Sequence, residues 1–331
     1  MTDKPFKTIT EQIEILRSRN LTFIDEITSA QRLAANGYYE IINGYKTTFL
    51  SEDGENFKDG TTFEDVFALY YFDTKVRTSV MSSIDFIESF LKQKLAYLLA
   101  EKHGETFNNY VSKYIFSTGH KLPIKHRNEK LGLFTDRDVL FKKFNESAHR
   151  SYDPFKHYRI KHNNIPPWIL VKNLDFGSLR MAITLLNKED KQVLIARIFT
   201  ADTISTLTPE QLNTLFSELI VIIHKYRNRA AHGGRMYNYF PDKGFTFLPL
   251  LHNDSGVTQT AIKKSKKHSS SIYIMSTALS LLQSNFSHAI LSDGISDALA
   301  GYSNKWPEQV PLVLKEMEFP NSYNFVQNKI Y

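Results

Sequence analysis

A long helical pattern without a break constrains the fold of this chain most strongly. Neither glycine nor proline occurs between Thr62 and Gly104, and Thr62 with Asp65 predicts an N-cap at the start of this segment. Apolar residues recur there at three- and four-residue steps, at Phe63, Val66, Phe67, Tyr70, Val76, Val80, Ile84, Ile87, Leu91, Leu95 and Leu98. About 40 residues would span roughly 60 Å as one helix. We therefore expect a long helix with a bend or a break.

Similar patterns predict a mostly α fold for the rest of the chain. Thr208, Pro209 and Gln211 form a capping box with proline at the first helical position, and Gly233-Gly234 ends that helix. Further helices are predicted over residues 8–19 with Thr8 or Thr10 as the cap, from near Ser29 to Asn36-Gly37, and over 168–186, 188–199 and 270–290. The last of these should turn Ile272, Met275, Leu279, Leu282 and Phe286 inward. Residues 245–251 predict a short strand that Pro249 interrupts.

Composition narrows the class of protein. With 331 residues the chain is long enough for about two domains, or for one domain with large insertions. A hydrophobic content of 42% supports a packed core and excludes a disordered chain. Cysteine is absent, which excludes disulfides, thiolate nucleophiles and cysteine-containing zinc sites. Residues 1–30 contain no signal peptide and no stretch approaches about 18 apolar residues, so we expect a soluble cytoplasmic protein without membrane contact.

Positive charge is concentrated in one segment. Residues 113–163 contain 12 Lys or Arg against 5 Asp or Glu, whereas the whole chain has a net charge of +6. The segment also holds five of the 11 histidines, together with several aromatic residues. Such a composition suits a polyanion such as RNA. The alternative is a solvated, lysine-rich insertion without a ligand.

Familiar catalytic motifs are absent from the sequence. It contains no P-loop, no G-x-G-x-x-G, no G-x-S-x-G and no H-E-x-x-H. Asp136-Arg137-Asp138 is too short to argue for a metal, and the acidic residues do not cluster as two-metal nucleases require. We expect no metal and no cofactor, so that any nuclease activity should be metal-independent.

The most informative motif lies at the end of the capped helix, where Arg227 and Asn228 are followed by His232. At about 100° per residue these side chains fall within an arc of about 140°, with Asn228 and His232 one turn apart. Histidine can transfer protons near neutral pH, arginine can hold a phosphate, and asparagine can orient the imidazole. This combination suits metal-free RNA cleavage. The alternative is that Arg227 and His232 only favour the negative end of the helix dipole.

These residues resemble the R-N-x-x-x-H element of HEPN-domain ribonucleases, and their surroundings resemble the Abi-like group of abortive-infection proteins (AbiD/AbiF). The resemblance rests on five motifs that follow the order of that group. They are Gly37-Tyr38-Tyr39 through Asn43-Gly44-Tyr45, Ile87-Glu88 with Leu91-Lys92, Pro167-Trp168 leading to Asp175-Phe176-Gly177-Ser178-Leu179, the motif from Arg227 to His232, and Arg235-Met236-Tyr237-Asn238.

The resemblance implies a HEPN-like helical bundle with metal-independent endoribonuclease activity in anti-phage defence and 2′,3′-cyclic phosphate products. The core would cover residues 61–240 with the basic insertion 113–163, flanked by an N-terminal helical region over 1–60 and a C-terminal helical extension over 241–331. Because the chain has one Arg/His motif, the active unit would need two chains, and we expect a homodimer.

The resemblance also implies a set of functional residues. Arg227, Asn228 and His232 would be catalytic, and Glu88 would join them if it pairs with Arg227. The alternative for Glu88 is an ion pair with Lys92 on the helix surface. A small non-coding RNA is expected as an antitoxin or guide, and RNA would contact Lys121, Lys125, Arg127, Lys130, Lys142, Lys143, Arg150, Lys263, Lys264, Lys266 and Lys267. The alternative function is a non-catalytic HEPN module that binds RNA, or a protein-interaction scaffold.

Overall fold

The structure is a computed structural model that describes residues 5–127, 132 and 134–320. This part of the chain is mostly α-helical, as predicted, and its extended segments form isolated β-bridges rather than strands. The first helices are α1 (Ile9–Ser18), α2 (Glu26–Asn36), α3 (Phe63–His103), α4 (Phe107–Tyr110), α5 (Asp136–Ala148), α6 (Phe155–His162), α7 (Pro167–Leu170) and α8 (Phe176–Leu185). They are followed by α9 (Lys188–Ala196), α10 (Ala201–Thr206), α11 (Pro209–Ala231), α12 (Pro249–His252), α13 (Gln259–Lys264), α14 (Ile272–Ser280), α15 (Phe286–Ser303) and α16 (Val310–Glu316). Short 3-10 or π-helical turns occupy Tyr39–Asn43, Lys46–Phe49, Ile124–His126, Val171–Asn173, Lys266–Ser269 and Pro307–Gln309.

Helix α3 runs for 41 residues and is the element against which much of the fold packs. Thr62 and Asp65 form the predicted capping box, and Gly104 follows the last turn with a φ of 84°. Of the bend or break expected in this segment, no break occurs within α3. Helices α7, α9, α11 and α15 all pack against it, and burial of its apolar side chains stabilises the helix along its length.

Small residues bring α15 close to α3. Gly294 of α15 lies against Ser79 of α3, where an added Cβ would collide with the serine hydroxyl. The Ser83 hydroxyl donates a hydrogen bond of 2.7 Å to the backbone carbonyl of Ser287. Side chains from the predicted N-terminal region, core and C-terminal extension share one buried hydrophobic cluster. The division of the chain into these three parts stays a prediction.

The second long helix, α11, has the boundaries that the sequence predicts. Thr208 and Gln211 form the capping box, and Pro209 occupies the first helical position. The helix ends at Ala231, and Gly233 then adopts a φ of 71°, a left-handed conformation that favours glycine. Within the described ranges no helix is long and apolar enough to cross a membrane.

Two helix boundaries in the first half of the chain differ from the prediction. Helix α2 begins at Glu26 rather than near Ser29, because Asp25 caps it. The single helix predicted over 168–186 is wrong, since this segment is divided into α7 and α8. The division occurs because the Asp175 carboxylate accepts a hydrogen bond of 2.7 Å from the N–H of Ser178 and so starts a new helix.

The strand predicted over 245–251 is also wrong. The N–H of Phe245 donates to the carbonyl of Ser269 at 2.9 Å, and the N–H of Thr246 donates to the Glu218 carboxylate at 2.8 Å. These donors find partners outside any sheet, and Pro249 then begins α12.

The helix predicted over 270–290 is split into α14 and α15. The interruption arises where this chain segment pairs with residues 198–200: the N–H of Gln283 donates to the Ile198 carbonyl at 2.7 Å, and the N–H of Thr200 donates to the Leu281 carbonyl at 3.0 Å. Phe286 was expected inside but is 64% exposed, and its ring stacks on Phe86 at the surface of α3. The other four residues predicted to face inward are buried.

Candidate active site

The motif from Arg227 to His232 occupies the end of α11. Arg227 and Asn228 are half-buried, whereas His232 is exposed and caps the helix, with its backbone N–H donating to the Asn228 carbonyl. Within the described residues, the Arg227 guanidinium and the His232 imidazole form no hydrogen bond and no salt bridge. Both groups are therefore available to a ligand.

Asn228 contacts a histidine that the sequence motifs do not include. Nδ2 of Asn228 lies 3.3 Å from Nε2 of His224, one turn earlier in α11. The His224 ring stacks on Phe176, with 5.7 Å between the ring centroids. Burial, followed by the positive charges of Arg180 and Arg227, lowers the pKa of His224, so a neutral ring can accept the hydrogen bond from the Asn228 amide. The spacing His-x-x-x-Asn-x-x-x-His is the signal that could have identified this residue.

Asp175 lies at the start of α8, a helix that packs against α11. Its carboxylate caps α8, and Gly177 keeps the turn compact, since an added Cβ would lie 3.2 Å from Oδ1 of Asp175. Burial acts to raise the pKa of Asp175, but hydrogen bonds from Ser178 and the charges of Lys143 and Arg227 outweigh burial and lower the pKa. A negative charge therefore lies within electrostatic range of Arg227, although the two described side chains form no salt bridge.

The segment that follows His232 is anchored by Asp73, a fully buried carboxylate on α3. Its oxygens accept hydrogen bonds from the N–H of Tyr237 at 2.6 Å, the N–H of Met236 at 3.0 Å and the Tyr45 hydroxyl at 2.5 Å. Burial raises the pKa of Asp73, and these hydrogen bonds with the charge of Arg77 offset only part of that effect. Asp73 thus joins two motifs, at Tyr45 and at Met236-Tyr237, that lie far apart in the sequence.

Two arginines add to this anchor. Nη1 of Arg77 donates a hydrogen bond of 2.9 Å to the carbonyl of Gly233, directly after His232. Nη1 of Arg235 donates a hydrogen bond of 2.5 Å to the carbonyl of Gly44. The turn that carries His232 is therefore attached to α3 and to the segment before it. The position of Asp73 between Leu69 and Val76, on the apolar face of α3, is the sequence signal for this network.

The sequence model of the family described as Abi-like protein matches residues 31–238, more than half of the chain. The chain belongs to the Abi-like protein family. The matched range contains all five motifs, the end of α11 and the whole Asp73 network, and family membership suggests a role in abortive-infection defence. Comparison with curated proteins and with solved structures finds no match.

Glu88 of this Abi-like protein is paired with Lys92. Oε1 of Glu88 lies 2.7 Å from Nζ of Lys92, and both side chains are half-buried on α3. Among the described residues, no salt bridge joins Glu88 to Arg227. The ion pair between Glu88 and Lys92, predicted as the alternative to a pair with Arg227, is thus present. A catalytic role for Glu88 stays a prediction.

The described part of the basic segment 113–163 folds against the core through its aromatic residues. The N–H of Leu122 donates to the Phe134 carbonyl at 2.8 Å, and α5 follows. Phe141 and Phe144 of α5 pack against Phe116, with ring centroids 6.0 and 5.6 Å away. These aromatic side chains are therefore packing residues, whereas most of the described lysines and arginines of the segment are exposed.

Eight of the residues predicted to contact RNA are exposed, namely Lys121, Lys125, Arg127, Lys142, Lys143, Arg150, Lys263 and Lys264. Lys142 and Lys143 each lie 3.7 Å from a carboxylate oxygen of Glu146, in surface ion pairs that contribute little stability. Lys130 lies outside the described residues, as do the side chains of Lys266 and Lys267.

An open cavity of about 630 Å³ lies beside the last turn of α11 in the Abi-like protein. Arg229, Arg235 and Asn238 line it together with Tyr239, and the Arg229 guanidinium carbon lies 5.3 Å from the centroid of the Tyr239 ring. Two arginines beside an aromatic ring suit a nucleic-acid strand. In the described ranges, no group of three or more His, Asp or Glu side chains is arranged to hold a metal ion.

Proposed function

We propose that this Abi-like protein is a metal-independent endoribonuclease of the HEPN type, acting as a toxin or effector in anti-phage abortive infection. Arg227, Asn228 and His232 would form its catalytic centre. The observation that carries the proposal is the placement of two unengaged side chains, Arg227 and His232, on either side of an Asn228 amide that His224 holds. Within the described structure neither reactive group has a competing protein partner.

These side chains supply the chemistry that RNA cleavage by internal attack needs. A base removes the proton of the 2′-hydroxyl, the 2′-oxygen bonds to phosphorus, and the bond from phosphorus to the 5′-oxygen breaks as that oxygen is protonated. His232 would perform one of the two proton transfers. Arg227 would bind the non-bridging oxygens and stabilise the added negative charge. The products are a 2′,3′-cyclic phosphate and a 5′-hydroxyl.

A second chain would complete this centre. One His232 supplies one proton-transfer group, whereas the reaction uses both a base and an acid. The motif also lies at the C-terminal end of α11, where the helix dipole disfavours a phosphate. A second Arg227 across a two-fold axis would offset that field. The active form in this proposal is a homodimer in which the two α11 ends face each other.

The exposed cations support RNA as a regulatory partner as well as a substrate. Lys121, Lys125 and Arg127 form no salt bridge with a described residue, so their charges remain available to phosphates. A small non-coding RNA would bind this surface together with Lys263 and Lys264. Such an RNA would be encountered in the cytoplasm, where the proposal places the protein.

Incubation of the purified protein with RNA in excess EDTA tests this function. The proposal predicts endonucleolytic products that carry 2′,3′-cyclic phosphate ends, identified by their resistance to ligation until the cyclic phosphate is removed. RNA that is bound but never cleaved would instead support a non-catalytic binding module. A preparation that neither binds nor cleaves RNA, with an absorbance ratio at 260 and 280 nm typical of bare protein, would support a protein-interaction scaffold.

A further inference from the structure

A second cavity, of about 600 Å³, lies between α3 and the C-terminal end of α15. None of its lining residues belongs to the site at the end of α11. Its volume falls in the range of about 300–1,000 Å³ that is usual for small-ligand sites. Gly301 lines the cavity, and an added Cβ there would have only the Lys75 ammonium within 4 Å, at 3.9 Å. The cavity therefore has room for a ligand beside this glycine.

Aromatic rings form two sides of this cavity. Phe67 and Tyr71, one turn apart on α3, stack with 6.5 Å between centroids and an angle of 13°. Tyr302 and Trp306 stack in the same way, with 5.7 Å between centroids and an angle of 24°. Tyr71 is 54% exposed although it is a large aromatic residue. Rings that line a cavity in this manner accept a planar heterocycle by stacking.

Three of the aromatic side chains carry a cation over the ring. The distances to the ring centroids are 4.3 Å for Arg32 over Phe67, 5.3 Å for Lys75 over Tyr71 and 5.9 Å for Lys305 over Trp306. None of these cations forms a salt bridge with another described residue. The rim of the cavity therefore presents positive charge that is available to an anion.

The acidic side chain that lines the cavity is already engaged. Oε2 of Glu64 accepts the N–H of Ile24 at 3.1 Å, while Oε1 accepts the N–H of Asp25 at 3.2 Å and the Ser29 hydroxyl at 2.9 Å. Glu64 thus accepts hydrogen bonds from the segment that leads into α2 and forms no salt bridge with the described lysines at the rim of the cavity. The lining keeps an excess of positive charge, and its ligand should be an anion that carries a planar aromatic group.

We propose that this cavity binds a nucleotide, either as a free mononucleotide or as one residue of a single strand. The base stacks on Tyr71 and Trp306, and the phosphate contacts Lys75 and Lys305. This site is separate from the end of α11, so the proposal holds whether or not the protein cleaves RNA.

Calorimetric titration of the full chain with AMP, CMP, GMP and UMP tests the proposal. We expect saturable binding below about 1 mM, and at least about tenfold weaker binding of both adenosine and ribose 5-phosphate, which lack the phosphate and the base respectively. Pentathymidylate and thymidine monophosphate (TMP) then distinguish a single strand from a free nucleotide as the ligand. Pentathymidylate has no 2′-hydroxyl and therefore resists the proposed cleavage. Tighter binding of pentathymidylate than of TMP indicates a strand, and equal or weaker binding indicates a free nucleotide.

Variants locate the binding to this cavity. Tyr71→Ala should weaken nucleotide binding about 5- to 150-fold, as expected for the loss of one stacked base. Gly301→Leu fills the cavity and should abolish binding. The matched control is Tyr97→Ala, because Tyr97 lies on the same helix, is 62% exposed and has Arg197 at 5.3 Å from its ring. The proposal is overturned if no nucleotide binds, or if Tyr71→Ala and Gly301→Leu bind nucleotide as tightly as Tyr97→Ala.

Discussion

The Asp73 carboxylate accepts a hydrogen bond of 2.6 Å from the backbone N–H of Tyr237, although the two residues are 164 positions apart in the sequence. The same carboxylate accepts the N–H of Met236 and the hydroxyl of Tyr45. This contact fixes the chain shortly after His232 to the middle of the fold. It explains how an exposed histidine at a helix end can keep a defined position.

Removal of the Asp73 carboxylate should destabilise the fold. In Asp73→Ala the buried N–H groups of Met236 and Tyr237 lose their acceptor, and each unsatisfied group costs about 1–3 kcal/mol. We expect the free energy of unfolding in urea to fall by about 2–5 kcal/mol. The matched control is Asp85→Ala, an exposed aspartate on the same helix, which should change stability by less than about 0.5 kcal/mol. Equal losses in the two variants would show that the Asp73 network contributes nothing specific.

The stability of the protein should decrease below neutral pH. Burial lowers the pKa of His252, His288 and His224 in the folded state. At low pH the unfolded chain therefore binds more protons than the folded chain. The free energy of unfolding is highest above the unfolded pKa of about 6.5 and decreases as the pH falls through this value. Each histidine reduces the free energy of unfolding by at most about 1.4 kcal/mol for each unit by which the pH falls.

Urea unfolding at about pH 7.5 and about pH 5.5 measures this effect. His252→Phe keeps an aromatic ring beside Phe247, which stacks on the His252 ring at 5.3 Å, but has no proton to gain. Its free energy of unfolding should therefore change less between the two pH values than that of the wild type. An unchanged pH dependence in His252→Phe would contradict the assignment of His252.

Local signals in the sequence predict the two long helices well. The capping boxes at Thr62 and Thr208 involve residues three positions apart, so their hydrogen bonds follow from the sequence alone. The end of α11 is predictable for the same reason, because Gly233 supplies the left-handed residue that stops the helix. The sequence therefore places Arg227, Asn228 and His232 correctly at one helix end.

The sequence-based predictions fail where the hydrogen-bond partners come from segments that are distant in the sequence. The split between α14 and α15 depends on hydrogen bonds to Ile198 and Thr200, which no local pattern encodes. The same holds for Asp73, whose partners lie in two other segments of the chain. His224 was missed because the R-N-x-x-x-H element begins at Arg227 and does not reach one turn back along α11.

The proposed nuclease should require two chains. A monomer carries one Arg227 and one His232, so RNA cleavage per chain should fall when the protein is diluted below the concentration at which it dimerises. A mixture of Arg227→Ala chains and His232→Ala chains should cleave more than either variant alone but less than the wild type, since each mixed dimer keeps one Arg227 and one His232 whereas a wild-type dimer has two of each. Analytical ultracentrifugation gives the oligomeric state in parallel. A monomer that cleaves at full rate at every concentration would contradict the dimer.

The basic segment should control how RNA binding depends on salt. Replacing Lys121, Lys125, Arg127 and Lys130 with Gln should flatten the slope of log affinity against log salt by about 0.7–0.9 for each phosphate interaction that is removed. The control replaces four exposed lysines elsewhere with Gln, namely Lys58, Lys172, Lys188 and Lys243. Filter binding over a range of salt concentrations gives both slopes. Identical slopes in the two variants would mean that the segment is a solvated insertion.

Substitution at the end of α11 should stop cleavage without unfolding the protein. Arg227 and His232 form no hydrogen bond with a described side chain, so Arg227→Ala and His232→Ala should keep the wild-type Tm. The control is Arg229→Ala, which removes the same charge from an exposed position in the same turn. It should weaken RNA binding at most and leave turnover at saturating RNA unchanged.

Cleavage of a labelled RNA at saturating protein and in excess EDTA, compared between the wild type and His232→Ala, is the most direct measurement. We predict that the wild type forms 2′,3′-cyclic phosphate ends and that His232→Ala reduces the rate by about 10²- to 10⁴-fold with an unchanged Tm. Cleavage by His232→Ala at the wild-type rate would contradict the proposed catalytic centre.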